Sequence, residues 1–169
     1  RGELLSDQEA DDISQVIAWA ADQPWSNARV GMLGVSYLAL SQYKVAAMGP
    51  PALRAICPWE GFTDAYRDFF TPGGVVENGF ARVWLFMTKR ITRQTTDLAA
   101  ERRRHPRRDE LWERITPDLA AIRVPMLVCT SFSDANLHSV GSMRAFQQAG
   151  SSERHAYAQS LRAAGDPRA

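Results

Sequence analysis

The chain has 169 residues, 45% of them hydrophobic and 23% charged, the proportions of an ordinary globular protein, which exclude disorder, collagen and a membrane class. One domain with a sizeable core is expected at this length. With 20 Lys and Arg against 19 Asp and Glu the net charge is +1, so no overall field directs the chain to nucleic acid or to a membrane surface.

Ser6-Asp7-Gln8-Glu9 reads as a capping box, in which the serine oxygen accepts an amide of the first turn and the glutamate reaches back. Ile13, Val16, Ile17 and Ala20 then share one face of a 3.6-residue period, predicting a helix to about Gln23, stopped by Pro24. Val30 to Leu33 is a short apolar run before Gly34 and reads as a buried strand, followed by a helix from Tyr37 to Met48. Gly49-Pro50-Pro51 ends that helix, and Leu53 to Cys57 reads as a second strand closed by Pro58. Helix, strand, helix, strand is the rhythm of an α/β fold with a parallel sheet. Cys57 and Cys129 are too few for a disulfide scaffold; buried thiols in a reducing compartment, and a cytoplasmic location, are the expectation.

From Asp64 to Asp118 no strand run comes forward. Phe80, Val83, Trp84 and Met87 recur at helical spacing, predicting an inserted helical subdomain. Five arginines stand between Arg102 and Arg108, interrupted by Pro106. Without aromatic interleaving in a neutral chain, this run reads as a solvated, partly frayed helical face rather than a nucleic-acid site. Pro117-Asp118-Leu119 opens a short helix through Ile122, and Val124 to Thr130 reads as a strand. A polar loop from Ser131 to His138, a helix from Gly141 to Gln148 and a strand from Arg154 to Ala158 follow, after which periodicity is lost.

Gly34-Val35-Ser36-Tyr37-Leu38-Ala39 stands where an apolar strand meets a helix, the context of a nucleophile elbow. Leu38 occupies the fifth position, where strict G-x-S-x-G has glycine, so a simple helix-capping serine is the competing reading. Asp134 lies just past the end of a predicted strand, where active residues of open α/β sheets gather. Serine before acid is the chain order of α/β-hydrolases, and the pair favours a triad acid over a turn residue.

Several ordered motifs resemble the cocaine-esterase / X-prolyl dipeptidyl-peptidase family of serine α/β-hydrolases. They are Gln23-Pro24-Trp25-Ser26-Asn27, Arg29-Val30-Gly31-Met32, the elbow itself, Pro50-Pro51, Cys57-Pro58-Trp59-Glu60-Gly61, Thr63-Asp64, Tyr66-Arg67-Asp68 and Gly73-Gly74. Ile122-Arg123-Val124-Pro125 to Ser133-Asp134, Leu137-His138 and Gly141-Ser142 continue the resemblance, which runs from about Asp11 to Gly150. The family elbow reads Gly-x-Ser-Tyr-x-Gly or Ala, which accommodates Leu38-Ala39. The resemblance implies an α/β-hydrolase core, a mostly parallel sheet with flanking helices, carrying an inserted helical cap and incomplete at both ends. Residues 1–62 would hold the elbow, 63–118 the cap, and 119–169 the acid loop and tail.

By the same resemblance Ser36 is the nucleophile, Tyr37 lends its backbone N–H to the oxyanion hole, and Asp134 orients the base. Trp59, Phe62, Tyr66 and Trp84 are candidates to line the cap pocket, with plain core packing as the competing reading. The family's second oxyanion donor is a tyrosine hydroxyl upstream of where this chain starts. Its base is a histidine some tens of residues after the acid, beyond the next strand. His138 follows Asp134 closely and reads as a local hydrogen-bonding residue, His155 is the candidate base although it falls within the predicted strand, and His105 is out of order. The expected function is a serine hydrolase, as a partial chain, cleaving small-molecule esters or X-Pro peptide bonds through an acyl-enzyme. The alternative is a catalytically dead remnant serving as a binding or structural piece. No cofactor, metal, nucleic acid or membrane partner is expected, and homo-oligomerisation stays open.

Overall fold

The first helix, α1 (Asp7–Ala21), begins where the capping box places it: Ser6 Oγ accepts the Glu9 N–H at 3.1 Å. Glu9 reaches back one residue further than expected, its Oε2 accepting from Leu5 N at 3.0 Å. The computed structural model describes residues 3–92, 94–132 and 137–159. Four strands, β1 (Val30–Val35), β2 (Leu53–Trp59), β3 (Met126–Ser131) and β4 (Arg154–Gln159), form one sheet in chain order, every pair parallel. Helices α2 (Tyr37–Met48) and α6 (Ser139–Gln148) make two of the crossovers, so the α/β arrangement read from the sequence is the fold.

Strand period two sorts the sheet into unlike faces. Ile56, Met126 and Val128 are buried, with Met32 packed beside them, under Ile17 of α1, Tyr43, Val45 and Ala46 of α2 and Ala145 of α6. The other face carries Leu33, Val35, Leu127 and Tyr157, which are 72%, 53%, 40% and 52% exposed. A parallel sheet is ordinarily covered on both sides, and among the described residues no helix covers this one.

Several boundaries differ from expectation: α1 ends at Ala21, β1 runs on to Val35 and β3 starts at Met126. Strand β2 does not close at Cys57 but runs through Pro58 to Trp59, paired with Gly34 and Val35 of β1. Toward β3 the bonds are Ile56 N to Pro125 O at 3.0 Å and Glu60 N to Cys129 O at 2.9 Å. Pro58 falls between them, at the position whose N–H would point to β3, so the strand survives at the loss of one bond rather than of its geometry. At the other end α6 starts at Ser139, two residues ahead of the apolar pattern at Gly141.

The segment between β2 and β3 is helical, as its spacing predicts. It contains a single π-helical stretch (Ala65–Phe70), α3 (Phe80–Ile91), α4 (Leu98–Arg104) and α5 (Glu110–Ile115). These surround a second core of Phe62, Phe69, Phe70, Leu85, Trp112 and Ile115. The arginine run is less solvated than expected: Arg102 donates to Glu77 O at 2.7 Å, and Arg108 bonds buried Asp64 at 3.3 Å.

Candidate active site

Strand β1 and helix α2 meet at Ser36, whose backbone stands at φ 59 and ψ −117, outside every region an ordinary L-residue favours. Such a conformation costs about 1–3 kcal/mol and persists only where neighbours enforce it. Here they do. Ser36 N donates to Trp59 O at 2.9 Å, while Ser36 O accepts from Ala39 N and Leu40 N at 2.9 and 3.1 Å. A Cβ on Gly34 would stand 2.6 Å from Leu38 Cβ, and one on Gly61 would stand 2.7 Å from Ala39 Cβ, so both glycines permit the close approach of strand ends to α2. The corner is thus a strained elbow rather than a side-chain cap, and Ser36 makes no capping hydrogen bond.

All four parallel strands point their carboxyl ends toward this corner, and residues from different loops converge on it. Ser36 Oγ lies 3.1 Å from His138 Nε2 across 102 residues of sequence. His138 is buried, 8% exposed, in the turn that opens α6. Glu60, just past β2, has a left-handed φ of 52, the second strained position at the same sheet edge. Burial first, then the neighbouring Cys57 thiol and last the Glu60 carboxylate push the Cys129 thiol up to about 11, so Cys129 is protonated at neutral pH.

A seam of polar contacts fixes α6 against the loop after β2. Ser142 Oγ donates to Gly61 O and accepts from Gly61 N, at 3.0 and 3.2 Å. Thr63 Oγ1 donates to Gly141 O at 3.3 Å, and Ser139 Oγ donates to Ser131 O. Arg144 makes a two-pronged bond to Asp68, 2.7 Å to Oδ2 and 3.0 Å to Oδ1. A Cβ at Gly141 would meet Phe62 Cα at 2.6 Å, so the helix and loop touch backbone to backbone beside His138.

Tyr37 turns its side chain away from Ser36. Its hydroxyl donates to Glu9 Oε2 at 2.6 Å and accepts from Leu5 N at 2.9 Å, tying the elbow helix to the start of α1. Burial, then the Glu9 carboxylate, raise the phenol far above its usual value, so the hydroxyl stays protonated and donating. Tyr37→Phe is expected to cost about 1.5–3 kcal/mol, the worth of a hydrogen bond to a charged group. Urea unfolding measures it, and an unchanged midpoint at unchanged slope would contradict it. The Tyr37 N–H is the first of α2, one of the amides that a helix leaves without an internal acceptor.

The remaining sequence candidates are dispersed. Phe62 and Trp84 are packed into the second core, Phe62 stacked on Phe69 at 5.6 Å, and Trp84 against Tyr37 and Phe69 at 6.0 and 5.3 Å. Trp59 is partly exposed at the end of β2. Tyr66 borders a sizeable cleft of about 490 Å³, shared with Pro72, Leu137, Val140 and Arg144. That volume suits a small ligand, and Leu137 joins the cleft to His138. Asp134 lies outside the described residues.

The structure does not bring His155 to Ser36. It pairs with Leu127 in β4, four residues below the strand's carboxyl end, and three strand spacings of about 4.8 Å separate β4 from β1. Its side chain is exposed, 3.9 Å from Glu153. His105 is held by Asp109 at 2.6 Å and Glu101 at 3.5 Å, away from the elbow. His138, read from the sequence as a local residue, is the histidine at the serine. Chain order could not single it out, but its place just past β3, at the carboxyl edge of a parallel sheet, is a signal that could have.

Comparison with known proteins follows the same lines. The family profile described as X-Pro dipeptidyl-peptidase (S15 family) matches residues 2–161. The cocaine esterase of Rhodococcus sp. (strain MB1 Bresler) is 39% identical over 71 residues, 41% of this chain and 12% of that protein. A crystal structure of a CocE/NonD family hydrolase from Staphylococcus aureus superposes with a TM-score of 0.89 at 40% identity, over 94% of this chain and 29% of the other. The chain therefore spans less than a third of that hydrolase. Dipeptidyl peptidase 4 of Porphyromonas gingivalis, at 16% identity and a TM-score of 0.64 over 94% of this chain and 20% of its own, shares the fold.

Proposed function

The chain belongs to the X-Pro dipeptidyl-peptidase (S15) family of hydrolases, and on that premise we propose that it carries a serine acyl-transfer site centred on Ser36. The observation that carries the reading is the Ser36 corner: a strained backbone at the junction of β1 and α2, with Oγ 3.1 Å from an imidazole nitrogen. A serine in that setting is exposed at the sheet edge and has a proton acceptor within reach. Ser36 attacks an ester or amide carbonyl, and the Tyr37 N–H at the positive end of α2 takes the developing oxyanion. By the family resemblance Asp134 is the acid that orients the base. The cleft beside Tyr66, Leu137 and Val140 is where an acyl or leaving group would lie. Esters, or peptides cleaved after proline, are the substrates suggested by the cocaine esterase relative and by the family.

Reaction with a fluorophosphonate tests this directly, because the reagent forms a stable phosphonyl ester only on an activated serine. Intact-mass and peptide mapping are expected to find one adduct per chain, on Ser36. A folded chain that stays unlabelled would instead favour a catalytically dead remnant.

A further inference from the structure

Gln42 is a polar side chain of a type usually left in water, yet in α2 it is 1% exposed. Its amide meets all three elements that join at the elbow. Nε2 donates to Gly34 O of β1 at 3.3 Å and to Leu38 O of α2 at 2.9 Å, and Oε1 accepts from Cys57 N of β2 at 3.1 Å. We propose that Gln42 is a positioning residue for the reaction, a clamp that holds Ser36 in its strained conformation. The inference rests on the reading of Ser36 as nucleophile and adds the side chain that keeps it in place.

Gly34 and Leu38 stand two residues before and two residues after Ser36, so a single –NH₂ group spans the strained residue. A primary amide has two N–H donors, and here each meets one of the two carbonyls. The same contacts fix which way the amide points. Turned over, its oxygen would face two carbonyl oxygens and its nitrogen would face the Cys57 N–H. The third contact closes the clamp on the neighbouring strand. Cys57 stands two residues before Trp59, whose carbonyl accepts the Ser36 N–H at 2.9 Å. Strand β2 thus holds the serine amide and is itself held by Gln42.

A backbone at φ 59 and ψ −117 relaxes unless the chain on both sides of it is fixed. The Gly34 and Leu38 backbones already approach closely, since a Gly34 Cβ would stand 2.6 Å from Leu38 Cβ, and Gln42 bridges the same two residues through their carbonyls. Glutamine suits the place chemically. Asparagine is one methylene shorter, methionine has no donor, and a carboxylate would turn oxygens on both carbonyls. Gln42 touches no reacting atom, so its effect passes through the backbone to Ser36 Oγ and the Tyr37 N–H, which must face one substrate carbonyl together.

The full chain, treated with a fluorophosphonate and followed by mass spectrometry with the rate normalised to the folded fraction, tests the assignment. Gln42→Met is expected to label Ser36 about 10–10²-fold more slowly than wild type, the scale of loss that a misplacement of about 1 Å causes. Ile115→Ala, which opens a cavity in the second core, also lowers stability in urea, but its folded molecules are expected to label at the wild-type rate. Equal slowing in the two variants would make Gln42 merely structural and overturn the proposal. If folded Gln42→Met labels at the wild-type rate while Ser36→Ala abolishes labelling, the clamp is overturned and the nucleophile reading stands. If wild type itself is unlabelled, the nucleophile reading fails and this inference falls with it. Should Gln42→Met fail to fold, Gln42→Glu keeps the acceptor for the Cys57 N–H and at most one of the two donors, and the same slowing is expected. Hydrogen exchange of the Gln42 side-chain amide, read by NMR on wild type, needs no variant. Both protons are expected to exchange slowly, and rapid exchange of either overturns the clamp.

Discussion

Ser36→Ala is expected to abolish covalent labelling and any esterase turnover, a loss of at least about 10⁴-fold, while the protein stays folded. Chemistry and stability separate here because Oγ is the reacting atom yet makes little of the structure. Its contact with His138 is worth only about 1 kcal/mol net, and among the described residues no backbone group depends on it. The strain sits in the backbone, at φ 59 and ψ −117, and alanine inherits it. Ser36→Gly is therefore expected to be equally inactive but more stable than Ser36→Ala, by roughly 1 kcal/mol, since glycine adopts that conformation without a Cβ clash. Labelling by mass spectrometry and parallel urea melts read the two effects. An adduct retained in Ser36→Ala, or a glycine variant less stable than the alanine one, would contradict the elbow.

Asp68→Ala is expected to be the most damaging substitution for the fold, at about 3–5 kcal/mol, and to reduce labelling at Ser36 as well. The Asp68 side chain is 2% exposed and satisfies three groups at once. Oδ2 accepts from Thr63 N and Asp64 N, both at 3.0 Å, and the carboxylate holds both prongs of Arg144. Alanine leaves two buried amides without an acceptor and the guanidinium without its carboxylate, keeping only the 2.9 Å bond to Thr63 Oγ1. Burial acts most strongly on Arg144 and lowers its pKa, while the hydrogen bond and charge of Asp68 together with the charge of Asp64 bring it above its ordinary value. Without Asp68 the guanidinium still cannot escape by losing its proton, because arginine stays protonated at neutral pH. Domains of this size are stable by about 5–15 kcal/mol, so the loss is a large share of the total. Because Arg144 belongs to α6, loosening the seam moves His138 away from Ser36. Arg144→Ala is expected to cost less, since Asp68 keeps its two amide donors and the guanidinium is itself partly exposed. Urea unfolding orders the two variants, and an Asp68→Ala loss below about 1 kcal/mol would show the seam to be weaker than its geometry implies.

Local patterns carried much of the fold. The capping box set the start of α1, apolar runs marked the strands, and glycine and proline marked the ends of α2. Helical spacing at Phe80, Val83, Trp84 and Met87 found α3, although it left open which face is buried; Ala81 and Leu85 are the buried positions. Gly34-Val35-Ser36 at a strand-to-helix junction was enough to place the elbow, because the close approach it needs is written in neighbouring residue sizes. Pro58 misled as a strand end because its missing donor is a one-bond effect that pairing with β1 outweighs.

What the amino-acid sequence determined by itself was the order of elements and the serine at the corner, since both depend on side chains within a few turns of each other. What only the tertiary structure decided was which distant groups meet there. His138 reaches Ser36 over 102 residues, Tyr37 turns its hydroxyl to Glu9 instead of to the elbow, and His155 is stranded on β4. One face of the sheet is filled by helices while Leu33, Val35 and Leu127 remain exposed on the other. Periodicity reports which side of an element is apolar, but not what lies across from it. That is set by the parallel order of the strands, which gathers the carboxyl ends of segments far apart in the chain into one small volume.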